Sequence, residues 1–389
     1  MKQKLPDVPP FSYFHSSENS KQPFNTDMME TSIYEDKPCS STEGALRTSY
    51  REYFSFIREF VVSRWEQVVD ILVSQSGGHI PQIDVVEIVA EKSGSDYHPA
   101  SVRFVTANGL ISFVANVATT QRGRSRLGMD FELLEDFHRR GVGGFLPQPY
   151  LISSQREFAQ AESEDSMLMF LGKWLDGYHE FHLTRPNGGS DLPLVVWDTD
   201  DGLKLVSEPQ SKEIYRQTAF ILTYYFDLTD FREIFPWHHA AGDFVVRLKP
   251  TPDVKLVTVR QYAARIQSDK DFELDAREAA LLFMCNLTIR NRVDRLDGIG
   301  DMVWGPRDFL EATVCGFFDC LQARESDGSV RTGFTSALRS VCEKLDLVAW
   351  AQLFEGTLES FNPAAPDFDL IETHLPDHIF EVYRLFSKD

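Results

Sequence analysis

Two histidines, a glycine and an aspartate stand close together at His238, His239, Gly242 and Asp243. An aspartate with an imidazole beside it can take up a proton, the histidine orienting the carboxylate. Asp243 with His239 is therefore the candidate catalytic pair. The plainer alternative is a loop in which Asp243 caps turn amides and the imidazoles fill core, a common fate of histidine; for His238 that alternative is preferred. A second group, His179 and His182 around Glu180, has a spacing conceivable for a metal. No third ligand is indicated, and a solvated helix near a hinge is the preferred account. Asp198, Asp200 and Asp201 read as a plain hairpin turn, since the full calcium-loop pattern is missing. Asp294, Asp297 and Asp301 read as a helix-end turn. No metal-ligand set is assigned.

The elements around Asp243 follow from periodicity. Ile214, Ile221, Leu222, Tyr225 and Leu228 fall on one helical face and predict an amphipathic helix before the histidines. After Asp243, the runs FVVRL and VKLVTV flank KPTPD and predict a hairpin. The order is helix, polar loop ending in Gly-Asp, hairpin.

Four segments are expected along the chain. Residues 1–40, rich in Pro, Ser, Asn and acids without periodicity, read as a flexible or loosely docked arm. Residues 41–78 read as one long helix with a capping box at Ser40 and Glu43 and an apolar stripe from Leu46 to Leu72. Residues 79–174 read as a small β-rich lobe: strands at 83–90, 101–106 and 110–118, a helix at 128–140, then strands at 146–152 and 167–174. Asn108-Gly109 supplies a tight turn between two of these strands. Residues 175–389 read as a mainly helical lobe, with the stretch 172–182 connecting the lobes and lining one wall of the cleft between them. Pro363, Pro366 and Pro376 are expected to break up the tail before a short last helix near Ile379 to Phe386.

The element order, together with Gly242-Asp243 and the hairpin behind it, resembles the aminoglycoside-phosphotransferase and small-molecule-kinase branch of the protein-kinase-like fold, over roughly residues 80–330. The resemblance implies an α+β fold of two lobes, a small antiparallel β lobe with one helix and a mainly helical C-terminal lobe. It implies that Asp243 accepts the proton of a substrate hydroxyl. It also exposes departures. Leu248 stands where the family has a metal-binding Asn, and residues 257–260 read Val-Thr-Val-Arg where it has a metal-binding Asp. Asn116 occupies the position of the phosphate-binding lysine. Glu132 and Glu135 supply acids for an ion pair whose lysine is missing, and Gly94 is the lone glycine of the loop that should cradle phosphate. Asn116, Glu132 and Arg260 are thus the positions the resemblance assigns to nucleotide contact, with Arg247, Lys249 and Lys255 as further cations on the hairpin.

Phosphoryl transfer is mostly positioning and neutralisation of phosphate charge. With the lysine and both metal ligands replaced, the expectation is a pseudokinase-like binding or regulatory protein. The alternative is an atypical small-molecule phosphotransferase, or a nucleotide-dependent transferase, that uses Asp243; ATP and Mg would then be its cofactors. A sensor that binds a ligand in the interlobe cleft without turnover is a third possibility. The partner is expected to be a protein, or a small molecule in the interlobe cleft.

Composition narrows the classes further. The net charge of -20 across 389 residues opposes nucleic-acid binding, which needs surplus Lys and Arg, and opposes docking on anionic membrane. Five cysteines without a close pair suit buried free thiols in a reducing compartment, Cys315 and Cys320 included. No signal-peptide core or membrane-length apolar run occurs, so a cytoplasmic location is expected.

Overall fold

The computed structural model describes residues 5–17, 20–34, 48–91, 97–153, 167–189, 191–198, 202–237, 242–265 and 275–387. The fold is mixed α and β. The chain divides into two compact units, Met1–Asp176 and Gly177–Asp389.

The first unit is built on one seven-stranded sheet. Its strands are β1 (Phe11–Ser17), β2 (Ser20–Pro23), β3 (Ile83–Ala90), β4 (His98–Thr106), β5 (Gly109–Ala118), β6 (Pro149–Ile152) and β7 (Leu168–Lys173), in the order β2-β1-β3-β4-β5-β7-β6. All neighbours are antiparallel except β1 and β3, which run parallel. The periodicity of residues 83–118 is realised as three strands because Val, Ile and Phe alternate there and Gly109 takes a positive φ at the turn.

Residues 11–17 and 20–24 are tied in more firmly than the flexible or loosely docked arm expected of residues 1–40. β1 joins the sheet beside β3, and its Phe11 and Tyr13 pack on the core. A strand of aromatic residues gains both ladder hydrogen bonds and apolar burial there, which polar composition averaged over 40 residues conceals. A short helix α1 (Thr26–Met29) follows.

The helix expected over 41–78 is two helices, α2 (Tyr50–Ser63) and α3 (Trp65–Gln75), separated at Arg64. The capping box is formed by Ser49 and Glu52; the one anticipated at Ser40 and Glu43 lies outside the described residues. The apolar stripe continues across the break, so periodicity alone cannot reveal it. Tyr53, Ile57, Val61, Trp65, Val68 and Leu72 cover one sheet face and meet Ile88, Val102, Phe104, Phe113, Ala115 and Leu171. The other face receives α4 (Gln121–Arg139), whose Phe131 ring lies 5.6 Å from that of Phe170.

The second unit opens with an antiparallel sheet of β8 (Phe181–Leu183), β9 (Leu194–Asp198) and β10 (Gly202–Leu205), ordered β10-β9-β8. The long helix α5 (Glu208–Tyr225) follows, with Pro209 in its first turn and the Gln210 side chain accepting from the Ser207 hydroxyl at 2.8 Å. Three two-stranded pairs come next: β11 (Arg232–Ile234) with β14 (Tyr262–Ala264), β12 (Phe244–Arg247) with β13 (Asp253–Leu256), and β15 (Val293–Arg295) with β16 (Met302–Trp304). The helices are α6 (Ala276–Arg290), α7 (Arg307–Ser326), α8 (Phe334–Cys342), α9 (Leu347–Leu358) and α10 (Phe368–Phe386).

α10 runs through Pro376, correcting the expected break. Proline removes one ladder bond, but Ile371, Leu375, His378, Val382 and Phe386 are buried along one side and hold the helix together. The thiols divide: Cys285, Cys320 and Cys342 are buried, whereas Cys315 is exposed on the outer face of α7. Among the described residues no helix is long and apolar enough to cross a membrane.

α5 and α7 cross at Gly316. A Cβ there would run into the carbonyl oxygen of Arg216, so only glycine permits this approach. Around the crossing, Tyr215 stacks on Phe309 with centroids 3.8 Å apart, and Arg216 pairs with Asp319 at 2.8 Å. Gly316→Ala is expected to destabilise the protein by about 1–3 kcal/mol, the usual penalty for overpacking a close contact. Urea unfolding of the variant measures it; an unchanged midpoint would show that the helices can separate freely.

Candidate functional site

The Gly242-Asp243 turn enters the β12–β13 hairpin directly. β12 pairs with β13 from Phe244↔Leu256 to Arg247↔Asp253, and the pairing extends one step past Phe244 where the Val257 N–H donates to the Asp243 carbonyl at 2.8 Å. On its other side, β12 exchanges two backbone bonds with His179, at 2.9 and 3.0 Å. Trp237 sets its ring edge-on to Phe244, with centroids 5.9 Å apart. Asp243 therefore sits among paired backbone and buried rings.

Its side chain is closed off. Asp243 has 0% of its surface exposed. Arg260 grips it with both terminal nitrogens: Nη2 lies 2.5 Å from Oδ1, and Nη1 donates to Oδ2 at 2.5 Å. The Thr258 hydroxyl donates to Oδ1 at 2.9 Å, and Arg260 Nη1 also donates to the Pro236 carbonyl at 3.3 Å. Such a fork-to-fork pair fixes geometry as well as charge.

The chain leaving β13 folds back over Asp243. One expectation is corrected here. Arg260 is not a cation awaiting phosphate; it is committed to Asp243. The remaining hairpin cations are also engaged in part. Arg247 and Lys255 both meet Asp253, at 3.2 and 3.4 Å, and Lys249 is exposed. His239, the proposed orienting partner of Asp243, lies outside the described residues, as does His238.

In the first unit, Asn116 lies on β5 between Ala115 and Val117, whose side chains join the α2–α3 core, so alternation places Asn116 on the opposite face, towards α4. Glu132 and Glu135 are exposed. Glu132, expected with Glu135 to supply an acid for an ion pair, lies on the solvent side of α4. The buried acid of α4 is Asp130, at the next position of its inward stripe, and it accepts from the Tyr97 hydroxyl at 2.5 Å. Arg103 of β4 stands on the Asn116 side of the sheet and meets Glu91 at 3.5 Å and Ser101 at 2.9 Å. Sequence reasoning missed this group, since it looked for a cation on β5 and not on its neighbour.

The HEFH stretch is the larger surprise. It is not a helix at a hinge: His179 pairs with Val246, and residues 181–183 form β8. His182 is buried, with Nδ1 3.5 Å from Asp294 Oδ1 and Nε2 3.5 Å from Glu180 Oε2. Asp294 is not part of a helix-end turn. It is buried in β15 and accepts from the Leu183 and Arg295 N–H groups at 2.8 and 2.7 Å. Burial opposes charge on the His182 ring, but the two carboxylates outweigh it and raise its pKa to about 9. His179 faces Asp198 at 3.7 Å, and Lys204 also engages Asp198. Among the described residues no group of three His, Cys, Asp or Glu side chains could hold a metal ion.

No protein-family model matches the chain, and no curated protein does.

Proposed function

We propose that the chain is a degenerate member of the kinase-like fold, a small β-rich lobe followed by a mainly helical one, that works by binding a protein or a small molecule and not by phosphoryl transfer. The clasp of Arg260 on Asp243 carries this reading. A general base must come within hydrogen-bond reach of the proton it removes. Here both carboxylate oxygens are taken by the Arg260 guanidinium, and one of them also by Thr258. Releasing the carboxylate would leave the buried Asp243 charge unpaired, which opposes its use in turnover. The replaced lysine and metal positions support the same reading, because Asn116 and Leu248 carry no charge where phosphoryl transfer needs a cation and a metal ligand.

The competing reading, an atypical phosphotransferase, is favoured by Gly242, whose φ of +67° still presents the following aspartate from a tight turn. It requires Arg260 to let go.

Thermal unfolding with and without millimolar Mg-ATP and Mg-GTP separates the two. A ligand at a hundred times its Kd stabilises by about 2.7 kcal/mol, several degrees in Tm for a unit of this size. The expected result is no metal-dependent shift and no nucleotide hydrolysis. A shift of several degrees that needs Mg, together with turnover abolished in Asp243→Asn, would establish the enzyme instead.

A further inference from the structure

We propose that the open edge of β10 is a docking strand for a partner protein, and that it takes an extended segment in which apolar residues alternate with lysine or arginine. This surface belongs to the second unit, and its role does not depend on what Asp243 does. β10 ends the sheet ordered β10-β9-β8, and among the described residues no strand lies beyond it.

Hydrogen bonding between β9 and β10 decides which groups face that open side. The Val206 N–H donates to the Leu194 carbonyl at 2.9 Å. Bonded and non-bonded pairs alternate along an antiparallel ladder. Lys204, opposite Val196, and Gly202, opposite Asp198, are therefore the residues bonded to β9. Leu203 and Leu205 fall between, and their N–H and C=O groups point outward. The same two residues carry exposed side chains, Leu203 at 66% and Leu205 at 69%. On the face they share, β9 sets Trp197 opposite Leu203 and the buried Val195 opposite Leu205. One short stretch thus offers outward ladder groups and apolar side chains together, the two things that strand addition uses.

Edge strands are normally blunted, often by a lysine that keeps other strands away. Lys204 is placed wrongly for that. It lies on the opposite face of the sheet from the two leucines, and its ammonium engages Asp198. β10 is four residues long, so ladder pairing alone makes a small contact and charge must add to it.

Charge also selects the partner. Residues 198–208 hold four acids, Asp198, Asp200, Asp201 and Glu208, against the single Lys204. The Glu208 side chain is 72% exposed. A basic strand gains from this bias through cross-strand pairs of opposite charge, and an acidic one is repelled. A second copy of this chain is repelled too, since it brings the same acids and a net charge of -20.

A short synthetic peptide alternating valine with lysine is the probe, and the same peptide with glutamate for lysine is its control. Amide hydrogen exchange of the full chain is followed by NMR with and without millimolar peptide. Strand addition is expected to protect the Leu203 and Leu205 amides by about tenfold. The Lys204 amide, already bonded to β9, is expected to change little. Contact through side chains or charge alone does not give that alternation. The glutamate peptide is expected to protect neither leucine. Leu205→Pro removes one outward N–H where an edge strand tolerates proline, and is expected to abolish the protection. Leu203→Lys combined with Leu205→Lys keeps the backbone and is expected to weaken binding of the lysine peptide by about tenfold, through lost apolar contact and like charge. Leucine amides that stay unprotected at millimolar lysine peptide, or equal protection by both peptides, overturn the proposal. Protection that appears without peptide and grows with protein concentration assigns the edge to a second copy and overturns it as well. The wild-type series decides the matter even if a variant fails to fold.

Discussion

Arg260→Met is expected to cost about 3–5 kcal/mol of stability, the penalty for stranding one charge of a buried pair. Asp243 has no surface exposed, and methionine supplies volume but no donor. The carboxylate would keep the Thr258 hydroxyl but lose both guanidinium bonds. A buried carboxylate stripped of its guanidinium partner weakens the fold. For a unit of about two hundred residues each kcal/mol moves Tm by about 2–4 °C, so the melting temperature should fall by ten degrees or so. The double variant Asp243→Leu/Arg260→Met should recover a substantial part of the loss, because apolar replacements leave nothing unpaired. Urea unfolding of the two single variants and the double one gives the coupling. Additive losses would mean that the pair is not the unit it looks to be, and the objection to Asp243 as a base would fall with it.

The second large effect is a stability profile that declines on both sides of near-neutral pH. His182 has a folded pKa of about 9 against an ordinary value of 6.5. A raised value means that the folded state binds the proton more tightly. The stabilisation is therefore complete below pH 6.5 and disappears as pH rises through 9; 2.5 pH units correspond to about 3 kcal/mol. His378 acts in the opposite direction. Its Nε2 lies 3.1 Å from the Thr288 hydroxyl, which itself donates to the Cys285 carbonyl, so Nε2 carries the hydrogen. Nδ1 is then the acceptor for Arg292 Nη1 at 3.3 Å. Burial, and then the Arg292 charge, push its pKa well below 6.5. The unfolded chain takes up that proton first, so this stabilisation is present above pH 6.5 and is lost as pH falls below it. Unfolding free energies measured from pH 5 to 10 should show both limbs. His182→Gln should flatten the alkaline limb and leave the acid one. An alkaline limb that survives the substitution would show that other groups produce it.

Much of the local structure was already legible in the residues. The strands at 83–118, the hairpin after Asp243 and the helices of the second half follow from period-two and period-3.6 apolar patterns, which each element needs to bury one side. Gly242 announced a turn, and it takes a positive φ.

Tertiary structure decided what those elements do to the candidate residues. Arg260 and Asp243 stand 17 positions apart, and only the fold-back after β13 turns two separate candidates into one closed pair. His182 and Asp294 stand 112 apart, and their meeting depends on β8 lying beside β15. Residues 11–17 carry aromatics that could pack on a surface, but only the parallel neighbour β3 supplies the ladder that makes them a strand. Glu132 and Asp130 are two positions apart on α4, and helix phase, set by Phe131 packing on Phe170, exposes one and buries the other. Local sequence determines which conformation a segment favours, since that depends on its own residues. The environment of a charged side chain is set by whatever the rest of the chain packs against it, and that is what turned a candidate base into half of a buried ion pair.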